Sequence, residues 1–115
     1  MPLIKIATSA KPSLDRQRAL LTSLSKLLSK ELDKPEAYVM TAIETDAVMT
    51  FAGTDAPAAY VELKSIGRFM PEKTKQLSAA LCAELTKGLD VPADRTYIEF
   101  ADGTGYLWGY DGETF

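Results

Sequence analysis

The sequence predicts an α/β (α+β) fold in which two β-α-β units build a four-stranded mixed sheet with both helices on one face. Segments with the period-two alternation of strands flank two segments whose leucines recur at helical spacing. The order strand, helix, strand occurs twice, and the second occurrence copies the first. A shift of 57 positions lays Leu20, Leu24, Leu28, Lys30, Leu32, Asp33 and Pro35 over Leu77, Leu81, Leu85, Lys87, Leu89, Asp90 and Pro92, seven identities across sixteen aligned positions. Leucine-rich helices also match by chance, so the shared Leu-Asp-x-Pro at the two helix exits carries more weight than the leucines. Strand-helix-strand connections within one sheet are right-handed crossovers that give parallel pairs. The chain therefore reads as one domain, residues 1–115, with pseudo-repeats of about 1–57 and 58–115.

In chain order, residues 3–8 form the first strand, with Ile4 and Ile6 on one face and Lys5 on the other. Lys11-Pro12-Ser13 breaks it. Ser13 can then cap a helix that runs to about Leu32, with Asp15 favourably placed in its first turn. Leu20, Leu21, Leu24, Leu27, Leu28 and Leu32 make the apolar stripe of that helix, opposite Arg16, Ser23, Lys26 and Lys30. Asp33-Lys34-Pro35 ends it, because a residue before proline is pushed out of the α region. Residues 38–44 follow as a strand, Met49-Thr50-Phe51 as a short strand, and residues 53–57 as a turn. Ala59–Ile66 is the third main strand, ended by Gly67. Pro71 suits the first turn of a second helix with apolar positions Leu77, Leu81, Leu85 and Leu89 and with Gly88 as its stop. Pro92 and Asp94 mark a turn before a strand over residues 96–100, and the aromatic, glycine-rich tail 103–115 reads as a short hairpin or strand that packs on a neighbour.

Two helices cover one face of such a sheet, yet residues 38–43 and Tyr97-Ile98 are apolar enough to need cover on both. A second copy of the same chain is the economical cover, which points to a closed homo-oligomer. The charge balance, 13 Lys+Arg against 16 Asp+Glu for a net −3, provides no electrostatic footprint for nucleic acid or an anionic membrane surface. No apolar run approaches a membrane span and no signal-peptide pattern opens the chain, so the expected address is cytoplasmic, with non-classical secretion as the alternative.

The absences narrow the chemistry. There is no histidine, which removes Ser-His-Asp and Cys-His nucleophile systems and histidine metal sites. The lone Cys82 has no disulfide or CxxC partner and sits in a helical pattern, where it reads as packed. A base, if there is one, is a carboxylate, a lysine, a tyrosine or the N-terminal amine. Pro2 bears on the last of these: if Met1 is removed, as a small or cyclic second residue generally permits, the chain starts with a free secondary amine fused to a strand. An α-amino group has a pKa of roughly 8, and an apolar surround lowers it toward working pH. The alternative is that Pro2 merely follows an initiator residue. Lys34, just past a helix end, is either a surface charge complementing the helix dipole or a grip for a substrate carboxylate. Gly103-Thr104-Gly105 lacks the third glycine and the helix of a dinucleotide site and reads as a turn, and Asp102, Asp111 and Glu113 lack the spacing of an oxygen-ligand loop and read as solvated, so neither a dinucleotide nor a metal is expected.

Taken together, Met1-Pro2, Lys34-Pro35 ahead of Tyr38, Phe51-Ala52-Gly53, Ser65-Ile66-Gly67, Asp94-Arg95 ahead of Tyr97-Ile98, and the closing Thr114-Phe115 give a pattern covering nearly the whole chain. In it the sequence resembles the macrophage migration inhibitory factor branch of the tautomerase superfamily. The resemblance implies a homotrimer with active sites at its subunit interfaces. It implies Pro2 as general base, Lys34 and the Ile66 backbone binding substrate, Tyr97 reaching in from a neighbouring subunit, and Leu3, Tyr38, Trp108 and Phe115 as apolar walls. The implied reaction is keto-enol tautomerisation of a small aromatic α-keto acid such as phenylpyruvate, without a cofactor. Alternatives are a cytokine-like binding protein whose receptor the sequence does not name, and a hydratase-like member using Glu99. Glu99 stands where the animal proteins have a neutral amide, and a carboxylate there would raise the Pro2 pKa and repel a substrate carboxylate. Trp108 replaces a small aliphatic residue, Tyr110 replaces a tryptophan, and Ala58 and Val61 occupy the positions of the animal CxxC motif, so thiol-disulfide chemistry is not implied.

Overall fold

The computed structural model describes all 115 residues. Its main elements are β1 (Pro2–Thr8), α1 (Leu14–Leu32), β2 (Met40–Glu44), β3 (Ala59–Ile66), α2 (Pro71–Leu89) and β4 (Thr96–Gly103), followed by a hairpin of β5 (Gly109–Tyr110) and β6 (Glu113–Thr114). The main sheet has the order β2-β1-β3-β4. Each β-α-β unit contributes a parallel pair, β1 with β2 and β3 with β4, and the antiparallel pair β1–β3 joins the two halves at the centre.

The central pairing places Ile4 opposite Leu63 and Ile6 opposite Val61, all four fully buried beneath the helices. Leu24 and Leu28 of α1 and Leu77, Leu81 and Leu85 of α2 close over them without solvent exposure. This is the dry layer expected where a period-two strand face meets a period-3.6 helix stripe. Leu27 and Leu32 pack partly buried against that core, while Leu21 stands off it, so the α1 stripe is narrower than the leucine pattern predicts. Ser13 caps α1 as expected, its Oγ accepting the Arg16 N–H at 3.2 Å.

The two halves repeat in atomic detail. Asp33 and Asp90 both end their helices in the left-handed conformation, with φ of 52° and 58°. The hydroxyl of Ser29 donates to the Lys34 carbonyl at 2.6 Å, and that of Thr86, 57 positions on, donates to the Val91 carbonyl at 2.8 Å. A 3₁₀ turn follows each exit, over Glu36–Tyr38 and Ala93–Arg95. Both helices therefore stop at an aspartate, and this corrects two expectations. The pre-proline restriction is not what ends α1. Nor is Gly88 the stop of α2: it lies inside the helix, where a Cβ would come within 3.1 Å of Leu20 Cδ1, so its role is to let the helices approach.

Three boundaries also differ. Tyr38 belongs to the 3₁₀ turn rather than to β2, which begins at Met40. Met49-Thr50-Phe51 is no strand, since Phe51 makes only an isolated bridge to Thr54. The fourth strand runs on to Gly103, and the tail forms a hairpin that packs on its own chain. The helix-free sheet face carries Leu3 and Lys5 of β1, Met40 and Glu44 of β2, Tyr60, Glu62 and Lys64 of β3, and Tyr97 and Glu99 of β4. Its apolar members lie at the margins, and its middle is charged, with a Lys5–Glu44 ion pair at 3.4 Å. That face is less apolar than the sequence suggests, because Ile43 and Ile98 turn toward the helices.

Candidate active site

Three chain segments and the tail meet at one end of the sheet. Pro2 opens β1, pairs with Ser65 and is fully buried. Met1 precedes it, and the Met1 amine donates to the Tyr38 carbonyl at 3.0 Å. Lys34 is fixed through its backbone, whose N–H donates to the Ser29 carbonyl at 3.1 Å while its own carbonyl accepts the Ser29 hydroxyl. In the second half Val91 occupies the equivalent place and is fully buried, so the duplicated scaffold offers a core residue in one copy and a half-exposed cation in the other. Ile66 ends β3 on the far side of the opening, and Gly67, at φ 110°, turns the chain away from the sheet.

Two adjoining cavities result. One, of about 250 Å³, is lined by Met1, Lys34, Pro35, Tyr38, Ile66 and Phe115. The other, of about 220 Å³, is predominantly apolar and includes Met1, Pro2, Leu3, Tyr38, Met40 and Trp108 in its wall. The tail builds much of the boundary. Tyr110 and Phe115 stack on each other at 5.5 Å and meet the Tyr38 ring edge-on at 5.3 and 5.8 Å. The Phe115 N–H donates to the Trp108 carbonyl at 3.2 Å, closing the hairpin. Gly105 lets the chain end lie this close: a Cβ there would fall 2.6 Å from the Phe115 carbonyl oxygen.

The amine at this position has its pKa lowered, first by burial and second by the Lys34 ammonium. Both causes act against the protonated form. The Cys82 thiol is pushed up by burial, so it is no thiolate nucleophile near neutral pH. No group of three or more carboxylate or thiol side chains is arranged to hold a metal ion. In the chain as it stands the free amine belongs to Met1, and the Pro2 nitrogen is an amide without a basic lone pair.

The structure thus gathers Pro2, Leu3, Lys34, Tyr38, Ile66, Trp108 and Phe115 around one opening. It keeps both Tyr97, at the opposite end of β4, and Glu99, at mid-strand, away from the opening. Tyr97 pairs in register with Tyr60, is 68% exposed, and rests its ring on Phe51 at a centroid distance of 5.0 Å. Glu99 lies opposite Glu62, and the Tyr60 hydroxyl donates to Glu62 Oε1 at 3.3 Å. Burial, then Glu99, then Glu62 raise the Tyr60 pKa. One chain alone does not bring either residue to the opening. Sequence reasoning placed neither Arg68 nor Lys73 at the site; both line a further cavity that shares Lys34 and Ile66 with the first. The one available signal was that Arg68 sits two residues beyond Ile66, at the exit of β3. Asp102, set aside from sequence as a metal ligand, accepts the Phe69 N–H at 2.9 Å.

Comparison with known proteins gives the family and the fold. The family model described as macrophage migration inhibitory factor matches residues 1–115. The macrophage migration inhibitory factor homolog of Trichuris trichiura is 43% identical over 115 residues, covering 100% of both chains. The Mus musculus protein is 31% identical over 115 residues, covering 100% of this chain and 99% of its own. The crystal structure of the homologue from Prochlorococcus marinus superposes with a TM-score of 0.93 at 42% identity, covering 98% of each chain.

Proposed function

The chain belongs to the macrophage migration inhibitory factor family of the tautomerase superfamily, and we propose that it is itself a tautomerase with Pro2 as its base. The observation that carries this is the position of the N-terminal amine. It lies at the edge of an aromatic-walled cavity, beside Lys34, with its pKa already drawn down by both. Loss of Met1 transfers the amine to the Pro2 nitrogen, one residue deeper, where the same two causes act on it.

The substrate is an α-keto acid with an aromatic side chain, of the phenylpyruvate type. Lys34 takes its carboxylate, the Ile66 N–H takes the oxygen beside it, and the ring lies among Tyr38, Trp108 and Phe115. Pro2 accepts a proton from the carbon next to the carbonyl and returns it across the enol, so that no cofactor takes part. A positioned base of this kind contributes about 10²–10⁴-fold. Tyr97 and Glu99 join the site from a neighbouring subunit of a homotrimer. Their exposure on the helix-free sheet face, away from the opening, supports that assembly, whose mass in light scattering is expected at three times the 12.5 kDa chain. Glu99, entering from the neighbour, would hold the Pro2 pKa higher and weaken carboxylate binding, so activity is expected to improve in Glu99→Gln.

A second reading is a cytokine-like binding protein in which the fold and the trimer matter and the amine is incidental. Intact mass first establishes whether Met1 is lost. Enol-to-keto conversion of phenylpyruvate is then followed in wild type and Pro2→Gly. A fall of at least about 10²-fold is expected; equal rates end the Pro2 assignment, and saturable receptor binding that survives Pro2→Gly would favour the second reading.

A further inference from the structure

A third cavity, of about 260 Å³, lies behind Lys34 and is lined by Glu31, Lys34, Arg68, Lys73 and Asp102 together with the β3 exit. Its acids are already engaged. Glu31 Oε2 accepts from Lys73 Nζ at 3.2 Å and from Gln76 Nε2 at 3.0 Å, and Asp102 Oδ2 accepts the Phe69 N–H. Its cations are not all engaged. The four ion pairs of the molecule involve Lys5, Lys11, Arg16 and Lys73, and no side-chain hydrogen bond is made by Lys34 or Arg68. Two uncommitted cations therefore face one cavity, one of them an arginine whose planar fork of donors suits an anion with several oxygens.

We propose that this cavity binds a small phosphate-type oxyanion, gripped by Arg68 and Lys34, and that the bound anion competes with substrate for Lys34. Phosphate carries between one and two negative charges near pH 7 and presents three or more acceptor oxygens, which matches a guanidinium and an ammonium approaching from separate segments. The volume exceeds that of the bare ion, so the same chemistry admits inorganic phosphate or a small phosphomonoester. Asp102 faces the same space and limits the affinity, but its engagement by the Phe69 N–H offsets part of its charge. The anion site stands on the cavity and its free cations. The competition with substrate rests in addition on the tautomerase reading, so two measurements separate them.

The first is direct. Inorganic phosphate and, separately, glycerol phosphate are titrated at constant ionic strength into the full chain, following the amide resonances of Gly67, Arg68 and Phe69. Saturable shifts are expected in wild type, weakened at least about tenfold in Arg68→Gln and in Lys34→Gln, the loss of one charge-assisted hydrogen bond. They should be retained in Arg18→Gln, which removes a surface charge outside the cavity. Tight binding of glycerol phosphate assigns an ester as the occupant, and binding of inorganic phosphate alone assigns the free ion. No saturation by either, or equal weakening in Arg18→Gln and Arg68→Gln, overturns the anion site. The second is kinetic: phosphate is expected to raise KM for phenylpyruvate without changing kcat, and an unchanged KM at saturating phosphate overturns the competition while leaving the binding result to stand.

Discussion

Arg95 is the residue through which the loop after β2 is tied to the sheet, and its removal is the most informative structural perturbation. Its guanidinium donates to the carbonyls of Ala56 at 2.8 Å, Pro57 at 3.0 Å, Phe51 at 3.1 Å and Thr54 at 3.3 Å, and it lies 5.4 Å from the Phe51 ring centroid. Counting the three shorter bonds at about 1 kcal/mol each gives ~3 kcal/mol. Water can replace some of them at the exposed carbonyls, so Arg95→Ala is expected to cost about 2 kcal/mol. In a domain of this size that corresponds to a fall in Tm of roughly 8 °C at fixed protein concentration. Arg95→Lys keeps the charge but loses the fork, and should fall between. Because Phe51 supports the Tyr97 ring, the alanine variant should also cleave faster within residues 51–57 under limited proteolysis. A stability within about 0.5 kcal/mol of wild type, with no change in proteolysis, would refute the assignment of these bonds as the loop's fastening.

Leu81→Ala opens a hole in a site with no solvent exposure, and a loss of about 3 kcal/mol is expected in urea unfolding. Asp33→Gly removes a side chain from a left-handed position, so a gain of about 0.5 kcal/mol is expected from the same measurement, with a loss counting against the cap assignment. Lys34→Ala removes the second of the two causes that lower the amine pKa and leaves burial, the larger. The base works unprotonated, so the acid limb of the kcat/KM profile should move to higher pH in that variant while staying below the ordinary α-amino range; an unmoved limb would contradict the electrostatic role.

Strand faces and helix stripes were legible because Ile4, Ile6, Val61 and Leu63 alternate at one period while Leu77, Leu81, Leu85 and Leu89 recur at another. The shared helix exits were legible as a repeat, but not in conformation. An aspartate before Lys34 or Val91 does not announce that it will take φ above 50°, and the following proline drew the explanation to itself. Gly88 was misread for a related reason: its spacing fits a stop, whereas its function is a close approach to Leu20 that only the packed helices reveal. Of the site, Pro2, Lys34, Tyr38, Ile66 and Phe115 of the family pattern gather at one end of a single chain, while Tyr97 of the same pattern does not. Arg68 was not placed at the site, because alternation says nothing beyond the last residue of a strand. Tyr97 lies at the far corner and Glu99 in the middle row of the sheet, placements no local pattern could show, since they depend on the register of a parallel pair.

The most direct test of Pro2 as the base is the titration of its own nitrogen. With Met1 removed and the Pro2 nitrogen isotopically labelled, NMR follows the amine across pH while kcat/KM is measured on the same preparation. The expected result is a single pKa below the ordinary α-amino value of roughly 8, coinciding with the acid limb of the rate profile. An amine titrating at or above that value, or a limb that tracks another group, would contradict it.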